Sequence, residues 1–360
     1  MKPMTRLLIP PLLNRRNFVC AAAGLPAWAW AQSDAPAARG ARKAGDARGD
    51  GPEGLEAVLT AAGALEPLQA VVVSRHGQRL AERAYGRRAL AAATNIKSAS
   101  KTVVSALVGA AIDRGVLTGT DQRVAALLPG DLPRDPDPRL ARLTVGHLLS
   151  MQAGLQRTSG PHYGRWVASR NWVRSALAQD FVDEPGGGML YSTGSTHLLS
   201  AILTRRSGRS TLALARDWLA PLGGFAIVDW ERDPQGIYLG GNQMAMSPRS
   251  LLAFGELYVR GGLTADGRRL LSQDWIEQSW RPRTTSVFNG DGYGYGWFLR
   301  RMAGHDVRYA WGYGGQMLYV VPAAGLVVAM TSDESSPSAR TGYRDRLHAL
   351  LEEIVTRATG

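Results

Sequence analysis

The chain has 360 residues, of which 45% are hydrophobic and 20% charged, with 42 glycines and 19 prolines. That balance excludes a collagen-like, coiled-coil or wholly disordered chain and supplies enough apolar side chains for a large core. Four bases in residues 1–31 account for +4 of the formal +12, leaving +8 on the rest, and no Lys/Arg-rich run or basic stripe interleaved with aromatics marks a nucleic-acid footprint.

The amino terminus reads as an address. Asn14-Arg15-Arg16-Asn17-Phe18-Val19 puts two arginines ahead of an apolar stretch from Phe18 to Ala31. Those 14 residues are too short to span a bilayer as a helix and suit the apolar region of a signal peptide. Ala29-Trp30-Ala31 is a small-residue cleavage pattern, with cutting expected before Gln32. Residues 1–31 are therefore expected to be a twin-arginine-like export signal, and the mature protein to be periplasmic or secreted without stable membrane insertion. Cys20 is the one cysteine, and Val19 stands before it where a lipoprotein signal wants a small residue. Its loss with the signal would leave neither a disulfide nor a thiol nucleophile.

Residues 32–52 are Ala, Gly, Arg and Asp with almost no large apolar side chain, and read as a flexible linker. A single folded domain is expected over 53–360. It opens with a helix over Leu55–Leu65 and two strands over Leu68–Tyr85 about a His76-Gly77-Gln78 turn. An apolar helix follows from Lys101 to about Arg114, stopped by Gly115. Helices are then expected over 144–151, 172–178, 196–206, 211–219 and 248–258. Strands return over 293–301, 307–310, 317–321 and 326–331, and an amphipathic helix covers 343–356. Strands at both ends with helices between imply an α/β (α+β) fold. One antiparallel sheet would be built from the two termini, with flanking helices and an inserted helical lobe.

The informative tetrad is Ser98-Ala99-Ser100-Lys101, the one S-x-x-K in the chain. On the first turn of a helix, residues i and i+3 share a face, so the Ser98 hydroxyl and Lys101 amine can meet. The helix N-terminus offers free N–H groups and a positive field to a forming alkoxide or oxyanion. Burial would lower the lysine pKa and make it a base. An N-capping serine followed by a solvated lysine is spelled the same way. However, this lysine heads an apolar helix, in a chain with only four lysines among 42 basic residues. A second block, Pro185-Gly186-Gly187-Gly188-Met189-Leu190-Tyr191-Ser192-Thr193, delivers Tyr191 just before another helix. A tyrosine beside a cation can lose or shuttle a proton more easily. A third block, Ala310-Trp311-Gly312-Tyr313-Gly314-Gly315-Gln316, runs from strand into glycines that let backbone approach a ligand.

In this order the three blocks resemble the serine β-lactamase and penicillin-binding-protein family. The branch they resemble is the class C-like one that includes carboxylesterases and 6-aminohexanoate-dimer hydrolases. Leu143 to Leu155 and Tyr293-Gly294-Tyr295-Gly296-Trp297 extend the likeness over nearly all of 68–331. The resemblance implies a β-lactamase/transpeptidase-like fold, with Ser98 as nucleophile, Lys101 as its base and Tyr191 as proton shuttle. It also implies an oxyanion hole from the N–H groups of Ser98 and Tyr313, and substrate contacts at Thr193, Trp311 and Gly312. Thr193 stands where lactamases have asparagine, and Ala310 where they have Lys or His. Both departures favour an amide or ester hydrolase acting on a small molecule over a class C-type β-lactamase or a D-Ala-D-Ala carboxypeptidase. A non-catalytic penicillin-binding or sensor module is the reading from another class.

Among other hydrolases, a Ser-His-Asp enzyme lacks its G-x-S-x-G elbow here, and His147, set in an apolar helix, reads as structural. Neither an H-E-x-x-H run nor a nucleotide fingerprint occurs, so neither a metal nor an organic cofactor is expected. The oligomeric state is open.

Overall fold

The computed structural model describes residues 51–86, 90–334 and 341–359. The export signal and all of the linker but its last two residues lie outside them. The first helix, α1 (Gly51–Ala61), starts inside the segment expected to be linker. The strands β1 (Leu68–Arg75) and β2 (Gln78–Ala84) and the two-residue β3 (Thr94–Asn95) follow. A single 3-10 turn, Lys97–Ala99, leads into α2 (Ser100–Asp113).

The middle of the chain holds α3 (Val124–Leu127), α4 (Val145–Leu149), α5 (Tyr163–Val167) and α6 (Trp172–Leu177). After them come α7 (Thr193–Ser207), α8 (Thr211–Trp218), β4 (Asp229–Trp230), β5 (Met244–Met246), α9 (Pro248–Val259) and α10 (Gln273–Ser279). The C-terminal part runs β6 (Thr284–Thr285), β7 (Gly292–Tyr293), β8 (Phe298–Met302) and β9 (His305–Gly312). It ends with β10 (Gln316–Val321), β11 (Leu326–Ser332) and α11 (Tyr343–Thr359).

Eight strands form one sheet in the order β2-β1-β11-β10-β9-β8-β7-β6, every described neighbour pair antiparallel. The first and last parts of the chain therefore meet at β1 and β11, where Val72 pairs with Ala329. Both faces are covered, which is why these strands are written as unbroken apolar runs. Alternation sorts them: Val72, Leu318, Val320, Val327 and Ala329 join the core that holds α2, α7 and α9. Val71, Val73, Met317, Tyr319, Val328 and Met330 join the core under α1 and α11.

Short helices α3, α5 and α10 were not anticipated, and three further features depart from expectation. The strand expected over 293–301 is broken by a turn at 294–297, so β7 and β8 are separate and pair with each other through Tyr293 and Phe298. Gly296 allows the turn with φ +79°. That turn also receives α2: Thr102 Oγ1 donates to the Gly296 carbonyl (2.6 Å) and Ser105 Oγ to that of Tyr295 (2.8 Å). The helix expected from Thr196 begins at Thr193, directly after the Tyr191 loop. Finally, a small sheet, β3-β5-β4, was not legible in the sequence. Its strands are two or three residues long, below the reach of any periodicity.

Candidate active site

Ser98 occupies the 3-10 turn, so the turn that carries it precedes α2 rather than being its first turn. The residue before it, Lys97, adopts φ +51°, a left-handed conformation that costs a non-glycine residue on the order of 1–2 kcal/mol. Asn95 Oδ1 supports it by accepting from the Lys97 N–H (2.9 Å). The Lys97 ammonium turns away to Glu334, at 2.9 Å.

Lys101 is the other lysine at this turn, and its surroundings are opposite. It is 2% exposed. Its Nζ lies 3.1 Å from Ser98 Oγ, 3.4 Å from Thr193 Oγ1 and 2.7 Å from the Gly241 carbonyl oxygen. Burial, with no charged neighbour to offset it, pushes its pKa down to about 7. A neutral amine has two N–H donors and one lone pair. With the donors spent on Gly241 and Thr193, the lone pair is left for the Ser98 hydroxyl. Thr193 is held in turn by Ser159, whose Oγ lies 3.0 Å from Thr193 Oγ1 and accepts from the Thr193 N–H at 2.8 Å.

Tyr191 is buried against the same pair. Its ring centroid is 4.9 Å from Lys101 Nζ, and its hydroxyl is close enough to the Ser98 side chain to feel it electrostatically. Burial raises its pKa well above the phenol range, and the nearby Ser98 side chain only partly offsets this. The expectation that a neighbouring cation would ease its deprotonation is thus not met. The amine beside it is itself pushed toward neutrality, so Tyr191 is a protonated donor rather than a phenolate.

The third block lies alongside. A Cβ on Gly312 would come 2.1 Å from the Ile96 carbonyl oxygen, so only glycine lets the end of β9 approach the Ser98 turn this closely. Neither the Ser98 nor the Tyr313 N–H donates to a backbone carbonyl among the described residues. Trp311 faces Phe288 at 5.7 Å and Phe298 at 5.9 Å, and Phe288 meets Tyr191 edge-on at 5.3 Å. Ala310 is buried and brings no charge.

Sequence reasoning missed Gly241, Ser159 and Phe288. The Gly240-Gly241 doublet was a visible signal for the first. The Val287-Phe288 pair, apolar in a polar loop, was one for the third. His147 is structural as expected: its Nδ1 accepts from the Thr144 N–H (3.3 Å), and its N–H donates to Thr144 Oγ1 (3.2 Å).

The sequence pattern of the β-lactamase family matches residues 60–353. No curated protein matches. Among solved structures, a Bacillus anthracis protein put forward as a 6-aminohexanoate-dimer hydrolase is 18% identical. It superimposes with a TM-score of 0.66 over 82% of each chain. A penicillin-binding-protein homologue from Caulobacter crescentus is 17% identical, with a TM-score of 0.67 over 86% of this chain and 98% of its own. A family VIII carboxylesterase is 16% identical, with a TM-score of 0.66 over 85% and 97%. The fold is therefore the β-lactamase/transpeptidase-like one, and the chain belongs to the β-lactamase family of serine hydrolases.

Proposed function

We propose that this chain is an exported serine hydrolase that cleaves a small amide or ester through an acyl-enzyme on Ser98. The observation that carries the reading is a buried amine, pushed toward its neutral form, 3.1 Å from the serine hydroxyl. Lys101 takes the Ser98 proton as Oγ attacks the substrate carbonyl carbon. The oxygen that becomes an oxyanion is received by the N–H groups of Ser98 and Tyr313. Tyr191, protonated and packed against Lys101, passes a proton to the leaving amine or alcohol and is resupplied from Lys101. Water then repeats the sequence on the acyl-enzyme, and Ser98 is released.

Two features support the amide or ester reading over a β-lactamase or D-Ala-D-Ala carboxypeptidase. Ala310 offers no cation to a substrate carboxylate, and the exposed rim beside Trp311 is apolar, with Phe288 41% and Val287 62% exposed. Export rests on residues 1–31 and places the mature enzyme, starting at Gln32, in the periplasm or outside the cell.

The test uses mature protein and a panel of p-nitrophenyl esters, short linear amides and nitrocefin, with mapping of the residue labelled by a fluorophosphonate. Ester or amide turnover with label on Ser98 is the expected result. Nitrocefin turnover alone would move the assignment to a β-lactamase. Acylation without turnover would move it to a penicillin-binding sensor.

A further inference from the structure

The Gly241 carbonyl that points the Lys101 amine belongs to a loop that has an anchor of its own. A Cβ on Gly240 would lie 2.2 Å from the Thr196 carbonyl oxygen, and one on Gly241 2.8 Å from Lys101 Cγ. The loop is thus wedged between the start of α7 and the stem of the lysine, and a shift in it must move the amine. The Gly240 N–H donates to His197 Nδ1 (3.4 Å), and His197 Nε2 lies 3.1 Å from Asp233 Oδ2. The other carboxylate oxygen, Asp233 Oδ1, accepts from the N–H groups of Gln235 (2.8 Å) and Ile237 (2.9 Å), on the turn that leads to Gly240.

His197 and the Asp233 carboxylate are wholly buried. The imidazole is held edge-on by Trp166 (5.6 Å) and Trp172 (5.7 Å). Both ring nitrogens are engaged, so this pair is no Ser-His-Asp remnant. Stability alone does not call for it either, since a buried ionisable pair is commonly matched or bettered by apolar residues of the same volume.

We propose that His197 and Asp233 are positioning residues for the base: the carboxylate fixes the imidazole as its Nε2–H tautomer, leaving Nδ1 free to accept from Gly240 and hold the Gly241 carbonyl on Lys101. This role deepens the hydrolase reading and rests on it for its catalytic consequence. The tautomer is the sensitive part. In Asp233→Asn, Asn Nδ2 can face the imidazole, which then carries its proton on Nδ1, where it opposes the Gly240 N–H donor to donor. His197→Gln keeps a donor toward Asp233 and offers Gly240 no acceptor.

Lys101 is faced by the Ser98 and Thr193 hydroxyls, the Tyr191 phenol and the Gly241 carbonyl, and no charged group shifts its titration. Removing the carbonyl removes a partner that favours the charged form, so the titration midpoint moves down. The experiment labels lysine Cε and Nζ isotopically and follows Lys101 by NMR in the intact protein, which has four lysines in all. In both variants the midpoint should fall by at least about half a pH unit. kcat should fall at least about tenfold, with KM within about twofold of the parent. Folded Asp233→Asn and His197→Gln proteins whose Lys101 titrates like the parent would overturn the proposal. The titration needs no substrate, so it tests the positioning role even where the hydrolase reading fails.

Discussion

The inner wall of the site and its rim are built on opposite principles. On the inner wall Lys101, Thr193 and His197 are buried, and each has its polar atoms paired inside the protein. On the rim Val287, Phe288 and Tyr313 stand between 41% and 62% exposed, with no polar network among their side chains. A dry, fully partnered wall sets protonation states, because burial and fixed dipoles act there without competition from water. An apolar rim discriminates by contact area, which one methylene changes by only about 1–3 kcal/mol. Under the proposed function the chemistry belongs to the inner wall and the substrate range to the rim, and variants on the two sides should separate along that line.

The largest effects are expected where the inner wall meets Ser98, the proposed nucleophile. Ser98→Ala should lower kcat by at least about a thousandfold with folding intact. Lys101→Arg, which keeps a charge and removes the base, should be nearly as severe when assayed on the same ester. Near-parental hydrolysis in either would show that the base lies elsewhere.

Next is the stability signature of the buried amine. The folded amine titrates near 7 and the free side chain near 10.5, so between those values the unfolded chain binds the extra proton. Stability should then rise with pH from about 7 to 10.5, by about 5 kcal/mol, with the full penalty present below that window. Denaturant midpoints measured across the window should show this slope in the parent and lose it in Lys101→Met. A parental curve that stays flat there would mean the amine is not desolvated. The activity profile carries the same sign, since hydrolysis should climb through pH 7 as Lys101 becomes neutral.

Tyr191→Phe should cost about a hundredfold in kcat, the range of a lost general acid or base. It should not change the unfolding transition much, because the ring packing against Phe288, Tyr293 and Phe298 is retained. The smallest effect is expected at the rim. Phe288→Ala should raise KM a few-fold for esters with bulky apolar acyl groups and leave kcat on acetyl esters unchanged. Equal losses on both substrates would place Phe288 with the inner wall and erase the distinction.

Much of this protein was legible from spacing alone. The S-x-x-K tetrad brings Ser98 and Lys101 together because three residues make nearly one helical turn, whether that turn is α or 3-10. The sheet strands announce themselves as apolar runs because both faces are covered, and the glycines of the third block mark where backbone must come close. Those signals are local, so the chain carries them in its order of residues. The partners of Lys101 are a different matter. Gly241 lies 140 residues from it and Thr193 lies 92. They arrive through a sheet of two- and three-residue strands, in which Asn95 pairs with Ala245, and through the start of α7. Contacts of that separation depend on register between elements too short to have a pattern. Only the folded chain decides which carbonyl receives the amine, how deeply that amine is buried, and hence how readily it gives up its proton.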